Sequence, residues 1–544
     1  MKQTCNNCGI EFEITETDQK FYKKIGVDSP TFCPACRGQR RLAHRNDRSF
    51  YKSKSALSGN EIITMYSPSH GFTIYEHKEW YGDGWNPMDY GRNFDFNLPF
   101  FEQFANLQKA VPRFNVYNIE TENCEYVNYA THCRNCYLIF GSWFNEDCIY
   151  GQTLNECKNC VDNLFLDRSE LCYENIDCNN NYNASFCQNS SNITDSLFCY
   201  DCQNVQNSIG CWNLRNKSFH IFNKPVSKEK FKEELEKLVS YKYLQELKKR
   251  FHDLLKKEAI HRDVIGQNNE NVSGNFIYHC KNAKNCFSVY RCEDVAYSCR
   301  IFDQKDTYDF EGGGKGELLY ENMSNDFSFN TISCTTSEHL NDSHYCDLCF
   351  NCQNCFGCVG LRRKKYCILN KQYSEKEYKS LLTRIINHMK KNGEWGEFFP
   401  VKYSPFYYNE TLAQEYYPMT KDEAQQKGYL WMDEIPMPIV PQTYQLPDSM
   451  QEVDNNVLQE NLVCEICQKN YKIIKKELDF LNRQKLPLPH QCPNCRHKAR
   501  MEQRTPRKLW SRNCFKCNKA IETSYSPQRP EKVYCESCYL REVY

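Results

Sequence analysis

The sequence predicts a mainly β protein with α elements: two short-period parallel β-solenoids, each followed by a helix, flanked by small cysteine-ligated modules at both ends of the chain. Three observations predict it. Pairs of C-x2-C recur in fours near both termini, cysteines recur every twelve residues through the middle, and an amphipathic pattern follows each cysteine-rich stretch. At 544 residues the chain is too long for one core. The expected divisions are a module over 1–80, a connecting segment with a short helix over 81–119, a first solenoid over 120–225 and a helix over 226–264. A second solenoid over 265–372, a helix over 373–395, a proline- and aromatic-rich strap over 396–462 and a closing pair of modules over 463–544 complete the chain.

The end modules come first. Cys5, Cys8, Cys33 and Cys36 read C-x2-C-x24-C-x2-C, as do Cys464, Cys467, Cys492 and Cys495. Cys514, Cys517, Cys535 and Cys538 read C-x2-C-x17-C-x2-C. A C-x2-C pair on a tight turn aims two thiolates at one point, and two such turns complete a tetrahedron around zinc. Four protein ligands leave no open coordination position, so three structural zinc sites of treble-clef or zinc-ribbon type are expected. The two ends align without a gap at an offset of 459 residues, which also superposes Arg37, Arg41, Arg45 and Arg48 on Arg496, Arg500, Arg504 and Arg507. The third tetrad then falls on Ser55, Ser58, Glu76 and Glu79. The second N-terminal ribbon is therefore expected to fold without metal.

Cys5-x2-Cys8-Gly9, Phe12, Phe21-Tyr22, Gly26 and Cys33-Pro34-x-Cys36-Arg37 resemble the short "probable zinc-ribbon" domain of bacterial proteins. Asp89-Tyr90-Gly91-Arg92, Ser404-Pro405-Phe406 and Leu486-Pro487-Leu488-Pro489 are similar to segments of large cysteine-rich multi-zinc-ribbon proteins of bacteria. That resemblance covers most of the chain and implies zinc binding without implying any particular activity. The missing thiolates of the second ribbon depart from the four-cysteine pattern.

Twelve of the 35 cysteines lie in the tetrads, and the other 23 fall between residues 124 and 367. Cys124, Cys136, Cys148, Cys160 and Cys172 are each twelve apart, and the beat resumes at Cys187, Cys199 and Cys211. It returns at Cys280 and Cys292, then at Cys334, Cys346 and Cys358. Short fixed periodicity of this kind signals a solenoid whose coils stack like residues into ladders. Within each twelve, positions one, four, seven and ten are mostly small or apolar, as in Cys346, Cys349, Cys352 and Cys355. An inward residue every third position suits a narrow coil and resembles the twelve-residue β-solenoid of insect antifreeze proteins. A 24-residue coil with two beats per turn fits the same spacing. The two stretches repeat one another at an offset of 147, so that Asn223-Lys224 matches Asn370-Lys371. One helix is expected from about Ser227 to Lys257, and a second from Ser374, where Glu377 completes a capping box. Each helix would cover the open end or flank of its solenoid.

Function is read from what these patterns leave over. The chain carries 69 basic and 69 acidic residues, so any attraction for nucleic acid has to come from local patches. Cysteine-rich composition behind no apolar leader predicts a reducing, cytoplasmic setting, and no segment is apolar enough to enter a membrane. From Cys33 to Lys54 there are seven basic residues and one acid. On a helix, Arg37, Arg41, Arg45 and Arg48 share one side, and Arg496, Arg500, Arg504 and Arg507 repeat that register. The leading expectation is thus a non-enzymatic zinc scaffold that contacts RNA or a ribonucleoprotein through these arginines. A protein-interaction scaffold without nucleic acid is the alternative. Another is a metal or redox protein using the cysteine ladder, whose C-x2-C spacing iron–sulfur ligands share; buried packing accounts for the same spacing. Tyr137, Tyr173, Tyr200 and Trp212 are open to two uses, a stacking surface or a helix-covered one. Gly312-Gly313-Gly314-Lys315-Gly316 lacks phosphate-loop spacing, His339 and His344 follow no metal-ligand pattern, and no paired acids suggest a β-helical carbohydrate enzyme. No catalytic residue and no small-molecule substrate is expected.

Overall fold

The computed structural model describes residues 1–433 and 438–544. The protein is mainly β with helices: two large parallel sheets fill the middle, and small antiparallel ribbons carrying the cysteine tetrads stand at both ends. Pro436, within the expected strap, lies outside the described residues.

The first stack of strands runs from Asn118 to Pro225 and the second from Gly266 to Gln372. In both, neighbouring strands are parallel and pair residues twelve apart along most of their length. Leu164 lies beside Ile176, Cys199 beside Cys211, Ile301 beside Gly313 and Cys355 beside Cys367. The local cause is a three-residue rhythm. From Glu120 to Asn223 nearly every third residue has a positive φ near +50°, including Asn123, Asn135, Asn159, Asn204 and Asn216. That conformation costs an ordinary L-residue roughly 1–2 kcal/mol, and asparagine and aspartate bear it best. Their side chains also bond from layer to layer, as Asn123 does to Asn135 (2.7 Å), Asn183 to Asp195 (2.6 Å) and Asn282 to Asp294 (2.8 Å). The corner asparagines thus turn the chain and join its layers.

The residue after each corner points inward. Cys133, Cys136, Ile139, Cys148, Leu154, Cys157 and Cys160 form a core whose members are at most 1% exposed. Cys334, Cys346, Cys349, Cys352, Cys355 and Cys358 do the same in the second stack. These inward side chains are more than filler. The inward backbone N–H finds its acceptor in the inward side chain twelve residues earlier: Cys346 donates to Cys334 Sγ (3.4 Å), Cys349 to Ser337 Oγ (3.0 Å) and Cys157 to Asn145 Oδ1 (2.9 Å). The thiols and hydroxyls in turn donate to backbone carbonyls, as Cys349 does to Cys358 O (3.4 Å) and Ser190 to Gln188 O (2.9 Å). Buried backbone groups must be paired, which explains why Cys, Ser and Asn share these positions.

Each stack ends on a short antiparallel hairpin, where an asparagine with positive φ imitates the missing layer. Asn223 binds the Trp212 N–H and C=O (3.0 and 2.9 Å), and Asn370 binds those of Val359 (2.8 and 2.7 Å).

The helices cover flanks. α1 (Glu16–Ile25) and α2 (Pro34–Leu42) belong to the N-terminal module, and α3 (Phe100–Ala110) to the segment that follows it. The single helix expected from Ser227 to Lys257 is two, α4 (Lys228–Glu236) and α5 (Tyr241–Glu258). A 3-10 turn over Lys237–Val239 separates them, and Ser240 caps α5 by accepting the Tyr243 N–H. α5 lays Leu244, Leu247, Phe251 and Leu255 on the first stack near Phe198. α6 (Glu375–Lys391) starts at the Ser374–Glu377 capping box and buries Tyr378, Ile385 and Met389 against Phe356 and Ile368 of the second stack. Its C-terminal end leads to Glu394, which caps α3 by accepting the Phe100 and Phe101 N–H groups (both 2.9 Å). α7 (Lys475–Gln484) and α8 (Pro493–Gln503) complete the first C-terminal module. Among the described residues, no helix is long and apolar enough to cross a membrane.

Candidate zinc centres and their arginine clamps

Each tetrad is built from a knuckle and a helix start. The Cys5–Cys8 turn closes with the Gly9 N–H donating to Cys5 O (2.9 Å), where Gly9 takes φ +72°. Gln468 and Asn518 close the other two turns in the same way at 3.0 Å. Cys33 and Cys492 sit at the N-caps of α2 and α8 with proline following, so Cys36 and Cys495 fall on the first helical turn beside them. The four Sγ atoms of each group lie within 4.8 Å of one another. Zn–S bonds of about 2.3 Å in a tetrahedron place sulfurs about 3.8 Å apart. Cys8–Cys33 and Cys467–Cys492 stand at 3.8 Å and Cys517–Cys535 at 3.7 Å. Backbone N–H groups point at the sulfurs as well: Cys33 to Cys5, Cys492 to Cys464 and Cys535 to Cys514, at 3.2–3.3 Å. The donor set, spacing and hydrogen bonding fit three zinc ions, which would cross-link each knuckle to its helix.

The second N-terminal ribbon keeps the shape and changes the chemistry. Gly59 closes the same turn onto Ser55 O (2.9 Å) with φ +79°. Ser55 Oγ donates to Glu79, which also accepts the Glu76 N–H at 3.1 Å. Hydrogen bonds from Ser55 and Ser58 hold the Glu79 carboxyl below its usual range. A serine–carboxylate bond here spans the positions that thiolates occupy in the C-terminal copy.

The arginines do not form a solvent-facing phosphate site, and the expectation of an exposed basic face is corrected. Arg37 is 1% exposed and reaches Asp309 at 2.7 Å, with Arg41 on the other oxygen at 3.2 Å. Arg45 pairs with Asp47 (2.7 Å) and lies 4.1 Å over the Tyr129 ring, while Arg48 lies over Phe140 near Glu415 and Asn494. In the C-terminal copy Arg496 and Arg500 hold Asp162 at 2.9 and 2.8 Å. Arg504 binds both oxygens of Asp177 (2.8 and 2.9 Å), and Arg507 pairs with Glu311 (3.4 Å). Arg40 joins the same layer through Glu321 (2.8 Å) and Glu397 (2.9 Å). The physical reason is charge complementarity within the chain: carboxylates on the stacks take the guanidiniums that helical spacing had gathered on one side.

The pairing is crossed and symmetrical. Asp309 is Asp162 at the 147-residue offset, and Arg496 and Arg500 are Arg37 and Arg41 at the 459-residue offset. The N-terminal module therefore clamps the second stack, and the C-terminal module clamps the first by the same contact. Neighbouring bonds repeat it: Tyr297 donates to Asp18 (3.0 Å), and its counterpart Tyr150 donates to Glu477 (3.1 Å), the counterpart of Asp18. Each module also touches the other stack's entry, because Ile74–Tyr75 pairs with Arg113–Phe114 and Lys532–Tyr534 with Ile260–Arg262, both in parallel. Tyr173, Tyr200 and Trp212 are covered in this packing and Tyr137 partly so, which leaves none of the four as an open stacking surface.

Residues 1–45 match the family described as "Probable treble clef domain". No curated protein matches the chain. Fold and site together define a protein with structural zinc centres at both ends.

Proposed function

We propose that this protein is a non-enzymatic scaffold in which zinc modules fasten two twelve-residue β-solenoids side by side, so that their outer faces are displayed to a partner. The observation that carries this reading is the crossed arginine clamp, in which Asp309 and Asp162 each receive two guanidiniums from a zinc-ordered helix. Burying a charge pair is costly unless geometry and hydrogen bonds are good, so such clamps suit holding two bodies in one relative position. The ladder thiols are spent on packing and backbone hydrogen bonds, which supports a structural use over a redox or iron–sulfur one. An RNA or ribonucleoprotein partner remains part of the reading, through a surface other than the clamp arginines. Comparing Asp162→Asn and Asp309→Asn with the wild type by small-angle scattering and limited proteolysis tests it. Each variant is expected to free one zinc module and increase the radius of gyration while all three zinc ions stay bound. Unchanged scattering and proteolysis in both variants would refute the clamp.

A further inference from the structure

The second stack carries a strip of exposed side chains that the zinc scaffold does not use. Two adjacent columns run along it, one residue per layer. The corner column is Lys315, Phe327, His339, Asn351 and Arg363, and all five are exposed. Beside it the strand register aligns Glu317, Phe329, Asn341, Gln353 and Lys365. Phe327 and Phe329 are 52% and 43% exposed, on either side of the inward Ser328. Phe327 and His339 stack at 4.9 Å and 9°, and the Lys315 ammonium lies 5.9 Å from the Phe327 ring. With layers about 4.8 Å apart, the rings, amides and terminal cations span roughly 14 Å.

The cations of this strip are free. Among the described residues, neither Lys315, Arg363 nor Lys365 forms an ion pair. Glu317 at the foot is the one acid of the two columns; Asp326 and Glu338, just before Phe327 and His339, accept from the Gly314 N–H (3.1 Å) and the Tyr117 hydroxyl. Asp342, on the neighbouring column, accepts from Asn330 (2.7 Å). The first stack is an internal comparison. At the 147-residue offset its columns read Arg168, Asn180, Asn192, Asn204, Asn216 and Glu170, Tyr182, Thr194, Gln206, Ser218. The Phe327–Phe329 pair and the two terminal cations therefore have no counterpart at that offset, whereas a His–Phe stack does recur further down the first stack's corner column, where His132 and Phe144 lie at 4.8 Å and 9° with Phe144 57% exposed. Buried position does not account for them, since exposed phenylalanines lose by facing water.

We infer that this strip binds single-stranded nucleic acid, with Arg363 and Lys365 on phosphates, Phe327, Phe329 and His339 stacking on bases, and Asn341, Asn351 and Gln353 on base edges. Exposed rings beside unpaired cations are the combination that single strands use: π-faces accept any base, and cations follow the backbone. An acidic protein or an anionic membrane would use the charges and leave the amide rungs and stacked rings without a role. The inference rests on the reading of the second stack as a display surface.

The test is fluorescence anisotropy with a labelled 15-nucleotide oligouridylate and full-length zinc-loaded protein, across a salt series. Arg363→Glu with Lys365→Glu is expected to weaken binding tenfold or more and to lower the salt slope by about 1.4, two phosphate contacts at about 0.7 each. Phe327→Ala with Phe329→Ala is expected to weaken binding about tenfold and leave that slope unchanged. Lys217→Glu on the first stack is expected to change nothing. Retention of three zinc ions and an unchanged melting curve show that each variant is folded, as exposed positions allow. No binding by the wild type at low salt overturns the inference, and so does wild-type affinity in both double variants. If anionic vesicles or heparin compete equally and the phenylalanine variant is unaffected, the strip is a general polyanion site and the inference is wrong. Any of these failures leaves the clamp, which Asp162→Asn and Asp309→Asn test separately.

Discussion

Replacing Cys334 separates two accounts of the cysteine core. Cys334 is fully buried; its Sγ accepts the Cys346 N–H at 3.4 Å and donates to Ser343 O at 3.4 Å and Ile332 O at 3.6 Å. If cysteine is there only as a small apolar residue, alanine is the gentle substitution and serine the harsh one, because a buried hydroxyl without partners is costly. If the side chain is a hydrogen-bond bridge, the order reverses. Cys334→Ala strands the Cys346 N–H, at about 1–3 kcal/mol, and leaves a void of sulfur size, at about 1 kcal/mol. Cys334→Ser keeps an accepted and a donated bond, as Ser343 does in another inward column, accepting the Cys355 N–H at 3.1 Å and donating to Asn341 O at 2.9 Å. The alanine variant should therefore be the less stable by about 1–2 kcal/mol. Denaturant melts under reducing conditions give the order, and amide hydrogen exchange over residues 335–356 locates the effect. Fast exchange at Cys346 is expected in the alanine variant and protection in the serine variant. A serine variant less stable than alanine, with the Cys346 amide protected in both, would refute the bridge.

Three further outcomes are expected. Metal analysis of the purified protein should find three zinc ions per chain, and converting Ser55, Ser58, Glu76 and Glu79 to cysteine should raise the count to four. His44 is buried, which lowers its pKa to about 4, below an ordinary value near 6.5. The unfolded chain then binds the proton first, so this group's share of stability should be lost as pH drops from about 6.5 towards 4, by up to about 3 kcal/mol; burial lowers His70, His261, His344 and His497 to about 4 as well, so His44→Gln should make the slope shallower by one such share in melts run in parallel with the wild type. Finally, a protease site placed after Gly428 should yield two pieces that migrate together in native gels and separate when zinc is chelated, whereas separation with zinc bound would contradict the crossed docking.

Much of this was legible in the sequence, for physical reasons that can be named. The tetrads are local chemistry, and their spacing alone brings the sulfurs together. The twelve-residue beat is visible because parallel stacking places like residues in like environments. The Ser374–Glu377 box sits within one helical turn and was read directly. What escaped depends on distant partners. Helical spacing correctly gathered Arg37, Arg41, Arg496 and Arg500, but their carboxylates lie hundreds of residues away on stack faces. One signal was available: Asp162 and Asp309 occupy the same position of the internal repeat. Likewise, asparagine and aspartate recur at multiples of three residues, as at Asn123, Asn135, Asp147, Asn159 and Asp162, which marks the corners but is a weaker signal than the cysteines because tyrosine, phenylalanine and glutamate share those positions. The break before Ser240 escaped because Leu235, Leu238 and Leu247 keep an apolar spacing across it.

The crossed clamp also bears on why the chain is long. A stack of parallel strands grows by adding layers, and each layer pairs with the layers on either side of it. The two stacks touch directly, with Arg300 donating to Thr153 Oγ1 (3.0 Å) and Tyr129 reaching Thr336 (3.5 Å), and residues from outside the repeat add to that contact. Here they come from the two ends of the same chain, each end gripping the stack that lies further from it in sequence. Arg37 thus reaches Asp309 across 272 residues, and Arg500 reaches Asp162 across 338. The clamp on the first stack needs the C-terminal end, whereas Asp309 and both its arginines lie within the N-terminal two thirds of the chain; loss of zinc from either end is expected to loosen a stack that lies far away in sequence. On the proposed reading zinc acts at a distance: it orders short helices, the helices aim arginines, and the arginines reinforce the direct contacts between the two stacks.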